Sequence, residues 1–193
     1  MIKTWPLVLI LLVLLLPGCS SNSVSSSDFS QNIEEIKSIK SYSNSNPSEN
    51  NETELRYADL YKKISTDNSK DAMKVIGKIQ NKQITAKEFE LEALRLQLSG
   101  SKNIYPDAWD TLRISSLENE LAKKYNIEYQ NDAVKLVEQN REAFMESADE
   151  VVAAYMKDLY AAYGMSEDEY WNEYTLNLYL RQLCHERVAN YLK

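Results

Sequence analysis

Helix-boundary signals in the C-terminal two thirds of the chain constrain its fold more than any other feature. Thr85 and Ser166 are each followed three residues later by a glutamate, Glu88 and Glu169, and this spacing is typical of the capping box that begins a helix. Between these signals, apolar residues recur at intervals of three and four positions, as on one face of an amphipathic helix. The chain has only four glycines and four prolines, so few residues interrupt these stretches. The pattern predicts an all-α domain.

The spacing predicts about five helices within residues 72–193, preceded by one short extended segment. The extended segment covers residues 73–79, which are rich in β-branched residues, and a polar turn follows at residues 80–83. The helices are predicted over residues 85–99, 107–125, 130–147, 148–164 and 166–192. Gly100, Asn126 and Gly164 stand where such helices would end.

The N-terminus carries an apolar segment that is too short to span a bilayer. Ten apolar residues, 7–16, follow Lys3 and end at Pro17. They rise about 15 Å as a helix, against a hydrocarbon core of about 30 Å. Residues 1–18 are therefore predicted to be a secretory signal peptide that is removed in front of Cys19. An uncleaved membrane anchor is the alternative.

The sequence Leu16-Pro17-Gly18-Cys19 resembles the lipobox of bacterial lipoproteins, with Pro17 where that family usually has a small or hydroxyl residue. The resemblance implies that the thiol of Cys19 receives a diacylglycerol and that the protein is held by lipid at the extracytoplasmic face of the cell membrane. Two acyl chains anchor a protein stably, whereas one holds it only marginally.

The charge of the chain disfavours nucleic acid as a partner. The formal net charge is −7, and loss of Lys3 with the signal peptide makes it −8. An acidic body is repelled by nucleic acid and by anionic lipid headgroups. We therefore expect contact with the membrane only through the N-terminal lipid, and no nucleic-acid binding.

Residues 19–54 are rich in serine and asparagine, and this composition predicts a flexible spacer behind the lipidated cysteine. Within it, Ile33, Ile36 and Ile39 recur at helical spacing, which indicates either a transient helical turn or a docking peptide. Residues 55–71 have a modest apolar face and are interpreted as an additional helix or a linker. The helical domain is then predicted to cover residues 72–193.

The sequence contains no residues in a pattern that indicates catalysis. Cys184 and the only histidine, His185, are adjacent in a helical stretch, so their side chains point about 100° apart and make a poor nucleophilic pair. The acidic run at residues 167–169 is explained by the favourable position of negative charge at a helix N-terminus. With no phosphate-binding loop and no metal-spaced cluster, we predict no enzymatic activity, no cofactor and no metal.

Three segments resemble the N-terminal chaperone domain of SurA and PrsA. Residues 75–89 (VIGKIQNKQITAKEF) are similar to its short strand, turn and "Ile-Thr, two residues, Glu-Phe" helix start. Residues 117–127 (LENELAKKYNI) and 164–171 (GMSEDEYW) resemble two of its later helix boundaries. The likeness covers roughly residues 73–193 and implies a domain that cradles unfolded or partly folded exported polypeptides. A parvulin domain often accompanies it, but the chain has no room for one, so we expect no prolyl isomerase activity.

Aromatic residues of the C-terminal half are the candidates for binding such clients. Tyrosine and tryptophan supply contact area at low entropic cost, and the candidate residues are Tyr163, Tyr170, Trp171 and Tyr174. The alternative is that most of these side chains belong to the core, because Tyr170, Tyr174 and Leu178 share one helix face by spacing alone.

Three functions remain open from the sequence. The protein is a lipid-anchored chaperone for many unfolded polypeptides, a helical adaptor of one dedicated envelope or spore-related partner, or a surface lipoprotein that retains the fold without chaperone activity. The breadth of binding distinguishes the three.

Overall fold

The computed structural model describes residues 32–40 and 47–193, and these residues are mainly α-helical, as predicted. The predicted signal peptide, Cys19 and the spacer residues 20–31 and 41–46 lie outside the described residues. Two strands and a series of helices follow one another along the chain: α1 (Ile33–Ser38), α2 (Pro47–Thr66), β1 (Val75–Ile79), β2 (Lys82–Thr85), α3 (Ala86–Leu98), α4 (Ile104–Lys124), α5 (Gln130–Ser147), α6 (Glu150–Tyr163), α7 (Glu167–Glu169), a π-helical turn (Tyr170–Thr175) and α8 (Leu176–Tyr191).

Both capping boxes predicted from the sequence are present. The hydroxyl of Thr85 accepts a hydrogen bond from the backbone N–H of Glu88, whose carboxylate accepts one from the N–H of Thr85 at 2.9 Å. Ser166 and Glu169 make the same reciprocal pair, with 2.7 Å between the N–H of Ser166 and the carboxylate. Each box satisfies two backbone donors that the first helical turn would otherwise leave unpaired.

The ends of the helices also follow the local sequence. Gly164 has a φ of 67° and ends α6 in the left-handed conformation that glycine adopts without strain. Asn126, with a φ of 51°, does the same after α4. Helix α4 begins earlier than predicted, at Ile104, because Pro106 lies in its first turn, where the missing N–H costs no hydrogen bond.

The predicted extended segment is one arm of a β-hairpin. Strands β1 and β2 pair antiparallel, with Ile79 opposite Lys82 and Gly77 opposite Ile84, so two residues of the predicted turn, 82 and 83, belong to β2. Gly77 lies against the ring of Trp109 in α4, and a Cβ atom there would come within 2.4 Å of that ring. Only glycine lets the hairpin approach α4 this closely.

Helix α3 is the centre of the main core. It contacts α1, α2, α4 and the hairpin, and it buries Phe89, Ala93 and Leu94 almost completely. Helix α2 packs on α6 as well, and the hydroxyl of Tyr155 in α6 donates to the carboxylate of Glu54 in α2 at 2.9 Å. A smaller core joins the end of α4, the start of α5 and the C-terminal half of α8 around Ala133.

The predicted spacer is partly structured, and the boundary at residue 72 needs correction. Ile36 lies in α1 and Ile39 follows its last residue. Their side chains are 0% and 3% exposed and belong to the main core. The side-chain amide of Asn32 donates to Glu90 at 2.8 Å, and that of Gln97 donates to the carbonyl of Ile39 at 2.6 Å. A six-residue helix is unstable alone, so packing against α3 supplies its stability.

Helix α2 extends the folded part further into the predicted spacer and linker. It begins at residue 47, and Tyr57, Ala58, Leu60 and Ile64 are buried in the main core. The additional helix expected within residues 55–71 is thus present and belongs to the domain.

None of the helices in residues 32–40 and 47–193 combines the length and the hydropathy needed to cross a membrane.

Replacement of Ile36 by alanine tests whether α1 is part of the core. Because Ile36 is fully buried, we expect Ile36→Ala to lower the free energy of unfolding by about 2–4 kcal/mol. Urea denaturation followed by circular dichroism measures this change. Lys40→Ala, at an exposed position of the same segment, should change it by less than about 0.5 kcal/mol. Equal, negligible effects of both substitutions would show that residues 32–40 are a spacer after all.

Candidate functional site

An open groove of about 640 Å³ is lined by the hairpin and by five helical segments, which are α2, α3, α4, the π-helical turn and α8. Its apolar and aromatic lining consists of Tyr57, Tyr61, Ile79, Ile84, Leu91, Leu112, Tyr174 and Leu178. We call this concavity the groove.

Polar groups line the groove together with the apolar ones. They include Ser115, Ser116 and Asn119 from α4 and Asn177 from α8. Hydroxyl and amide side chains can both donate and accept hydrogen bonds, so such a lining can satisfy the backbone of a bound chain.

A buried carboxylate shared by two arginines lies in the groove lining. Glu92 of α3 has a side chain that is only 4% exposed. One of its oxygens accepts from Arg95 at 2.6 Å, and the other accepts from Arg181 of α8 at 2.8 Å. The arrangement joins α3 to α8, and it leaves the two guanidinium groups with one more positive charge than the carboxylate neutralises.

The two buried glutamates of α3 have opposite electrostatic environments. Burial would raise the pKa of Glu92, but the charges of Arg181 and Arg95 outweigh burial and hold that pKa below its usual 4.5. For Glu90, on a different face of α3, burial raises the pKa, and the hydrogen bond from Asn32 offsets this only in part. Glu92 is therefore stabilised as the charged carboxylate, whereas burial disfavours the charged form of Glu90.

Five tyrosines pack together behind the groove, with ring centroids of contacting pairs 4.7–6.3 Å apart. We call them the tyrosine cluster, which comprises Tyr57, Tyr61, Tyr163, Tyr170 and Tyr174. Edge-on and tilted contacts predominate, the geometry that aromatic rings prefer.

A chain of hydroxyl groups satisfies the polar ends of this cluster. The hydroxyl of Tyr163 donates to that of Tyr174 at 3.0 Å, and the hydroxyl of Tyr174 donates to that of Tyr57 at 3.4 Å. Burial raises the pKa of Tyr57 to about 12 and raises the pKa values of Tyr163 and Tyr174 well above their usual range. All three phenols therefore stay neutral at physiological pH and act as hydrogen-bonding groups.

The π-helical turn positions the C-terminal members of the cluster. It joins α7 to α8 without a break, and it buries Tyr170, Trp171 and Thr175. Such turns are rare and occur often at functional sites. No feature of the sequence signalled this turn.

The candidate client-binding residues lie mostly inside the protein. Tyr163, Tyr170 and Trp171 are 4%, 2% and 3% exposed, so in this structure they form core and cannot present a contact surface. The indole N–H of Trp171 donates to the hydroxyl of Tyr160 at 3.1 Å. Tyr174 is half-buried and is the one of the four that lines the groove. Three of the four thus belong to the core, which was the alternative interpretation. Large aromatic side chains bury much apolar surface when a core packs.

Several groove residues were not singled out from the sequence. Glu92 and Arg95 are three residues apart on one helix, which is a recognisable local signal for an ion pair. Arg181 and Leu178 lie on α8, and nothing in the local sequence indicates that α8 meets α3.

Cys184 and His185 are neighbours on α8 with different surroundings. Cys184 is buried in the smaller core, and burial raises the pKa of its thiol. The Nδ1 atom of His185 lies 2.5 Å from a carboxylate oxygen of Glu118, on the flank of α8. Among residues 32–40 and 47–193, no group of three or more histidine, cysteine or acidic side chains could hold a metal ion.

Comparison with protein-family models, with curated proteins and with solved structures finds no match to this chain.

Substitution of each buried glutamate tests the electrostatics of α3. We expect Glu92→Gln to lower the free energy of unfolding by roughly 3 kcal/mol at pH 7. This value is at the lower end for a broken buried ion pair, because the side chains of both arginines are partly exposed to solvent. Since the pKa of Glu92 is depressed, the unfolded chain binds the proton more readily. The stabilisation by Glu92 is therefore present above about pH 4.5 and is lost as the pH falls below it.

Glu90→Gln is the matched control and should have the opposite sign. Because the pKa of Glu90 is raised, its ionisation destabilises the fold as the pH rises above 4.5. The glutamine variant should then be more stable than the parent chain at pH 7, with no gain at low pH. Urea denaturation at several pH values measures both differences, and equal signs at pH 7 would contradict this account.

Proposed function

We propose that the protein is a membrane-anchored, extracytoplasmic, chaperone-like protein that binds unfolded or partly folded exported polypeptides and has no enzymatic activity. The groove is the observation that carries this proposal. It combines apolar and aromatic side chains with hydrogen-bonding groups, and it is open to solvent rather than enclosed. An extended segment of an unfolded polypeptide presents apolar side chains together with unpaired backbone N–H and C=O groups. The groove can bury the side chains and form hydrogen bonds with the backbone groups.

The resemblance to the N-terminal domain of SurA and PrsA supports the same function. Its three motifs cover the hairpin with the start of α3, the end of α4, and α7 with the start of the π-helical turn, so the elements that bear the likeness include the hairpin, α3 and α4, which line the groove.

The tyrosine cluster forms a densely packed wall of the groove. Three of its members, Tyr57, Tyr61 and Tyr174, line the groove, and Tyr163 and Tyr170 pack behind them. Rigid aromatic surfaces bind with little loss of conformational entropy. The predicted client-binding residues Tyr163, Tyr170 and Trp171 would then act by holding this wall in place.

The lipid anchor would keep the groove close to the membrane. If Cys19 is lipidated, the 13 residues from Ser20 to Asn32 connect it to α1. A fully extended chain of that length spans at most about 45 Å. The groove would therefore meet polypeptides as they leave the membrane, before they diffuse away.

A helical adaptor for one dedicated envelope or spore-related partner is the second candidate function. An exposed apolar patch at the ends of α4 and α8 favours it, where the rings of Tyr125 and Tyr191 lie 4.8 Å apart beside Leu192. These three side chains are 39%, 55% and 62% exposed. Exposed aromatic and aliphatic residues that cluster in this way are typical of an interface with a folded protein.

Suppression of aggregation tests the chaperone proposal. The mature chain carrying Cys19→Ser is mixed with several unrelated denatured proteins, and light scattering is followed as they are diluted. We expect less aggregation of all of them at near-stoichiometric ratio, and Leu178→Gln should weaken this activity about fivefold because it removes apolar surface from the groove.

Leu117→Gln is the matched control, since Leu117 is a similarly exposed leucine of α4 that does not line the groove. It should leave the activity unchanged. Saturable binding of one folded envelope protein, with no effect on any unfolded client, would favour the adaptor and reject the chaperone proposal.

Substitution of Cys19 tests the anchor. We expect Cys19→Ser to prevent labelling of the protein by a radioactive fatty acid in bacterial cells and to move it from the membrane fraction to the soluble fraction. The parent chain should be labelled and should sediment with membranes. Unchanged membrane association of the variant would instead support an uncleaved apolar anchor.

A further inference from the structure

The charges that line the groove differ in sign from the charge of the whole chain. Four cationic side chains and three carboxylates face it, so its net charge is +1, whereas the chain has a formal net charge of −7. The cationic residues are Lys82, Arg95, Lys123 and Arg181, and the acidic residues are Glu88, Glu92 and Glu120. A local excess of positive charge in an acidic protein attracts negative groups to that place.

The excess charge can be assigned to one place in the groove. Lys82 is paired with Glu88 at 2.8 Å, at the hairpin end. Lys123 follows Glu120 by three residues on α4, so those charges are neighbours on one helix face. The remaining charges are two guanidinium groups and the single carboxylate of Glu92, and the unbalanced charge therefore belongs to the two arginines.

The arginines have hydrogen-bonding capacity beyond their bonds to Glu92. A guanidinium group carries five N–H donors. Arg181 gives Glu92 one hydrogen bond through Nη1, and its side chain is 38% exposed, so it is accessible from the groove. Arg95 gives Glu92 two, through Nε and Nη2. Both oxygens of Glu92 are thereby used, and a second carboxylate is the group that complements the remaining donors.

We propose that the groove prefers extended segments that place an acidic side chain next to apolar or aromatic residues, with the carboxylate bound at Arg181 and Arg95. This inference rests on the proposed function, and it specifies the chemical class of the client segment. The apolar neighbours would contact the tyrosine-lined wall and Leu178. A long polyanion such as nucleic acid fits poorly, because the negative charge of the rest of the surface would repel it.

A pair of peptides tests the preference. Fluorescent, end-capped Ala-Phe-Ala-Glu-Ala-Leu-Ala and its counterpart with glutamine in place of glutamate are titrated with the mature chain carrying Cys19→Ser, and anisotropy is recorded. Because the arginines are partly exposed, we expect the glutamate peptide to bind about three- to fivefold more tightly at low salt. The ratio should approach one in 0.5 M sodium chloride, since salt screens exposed charges.

Variants on α8 locate the effect. Arg181→Gln should abolish the difference between the two peptides, and Arg181→Lys should preserve part of it because the charge remains. Arg187→Gln is the matched control, since Arg187 lies on the same helix and is ion-paired with Asp132 but does not line the groove. It should leave the preference unchanged. Circular dichroism verifies that each variant is folded.

The outcomes separate this inference from the function on which it rests. Equal binding of the two peptides would overturn the acidic preference and leave the client-binding groove intact. Absence of binding by either peptide, together with no suppression of aggregation, would overturn both. Binding that appears only after removal of residues 20–31 would assign the groove to the N-terminal segment of the chain itself and would also overturn the proposal.

Discussion

The rest of the structure depends on the burial of helix α3 on nearly all its sides. A helix that is covered by α1, α2, α4 and the hairpin has no solvent-facing stripe, so its polar residues must find partners inside the protein. One carboxylate oxygen of Glu90 accepts a hydrogen bond from Asn32, the residue before α1, and Glu92 is paired with Arg181 of α8. Each buried glutamate thereby ties a distant part of the chain to the centre of the domain. The short helix α1 and the approach of α8 to α3 follow from this requirement.

The position of the groove results from the same constraint. Apolar side chains alone cannot cover the side of α3 that carries Glu92. The carboxylate of Glu92 is paired with Arg95 and Arg181, and both guanidinium groups remain partly exposed to solvent. The tyrosine cluster fills the interior behind it with rings whose hydroxyl groups bond to one another, so the wall is both dense and polar at its edge. A surface with these properties can bind apolar side chains and charged groups together, which is the reason that we propose it as the client-binding site.

The reach of sequence reasoning can be judged from particular elements. The capping boxes at Thr85 and Ser166 and the helix end at Gly164 were predicted correctly, because those signals depend on residues within four positions of each other. The hairpin was recognised only as one extended segment, since strand pairing depends on the turn geometry at Gln80, whose φ of 53° is unusual for that residue. Residues 32–40 were predicted to be spacer, with a transient helical turn or a docking peptide as interpretations of the spacing of Ile33, Ile36 and Ile39, because that spacing does not show which surface buries Ile36 and Ile39. The exposure of the aromatic candidates was equally undecidable, and three of the four proved to be core.

The sequence by itself therefore determined the mainly α-helical class, most helix boundaries of residues 85–191 and the signals that suggest a lipid anchor at Cys19, because periodicity, caps and processing motifs are local properties. Only the tertiary structure decided that α1 and α2 belong to the core, that the tyrosines form a buried cluster and that Arg95 and Arg181 converge on Glu92. These features join residues up to 117 positions apart. Such contacts are selected by the packing of whole helices against one another, and no local pattern of residues specifies them.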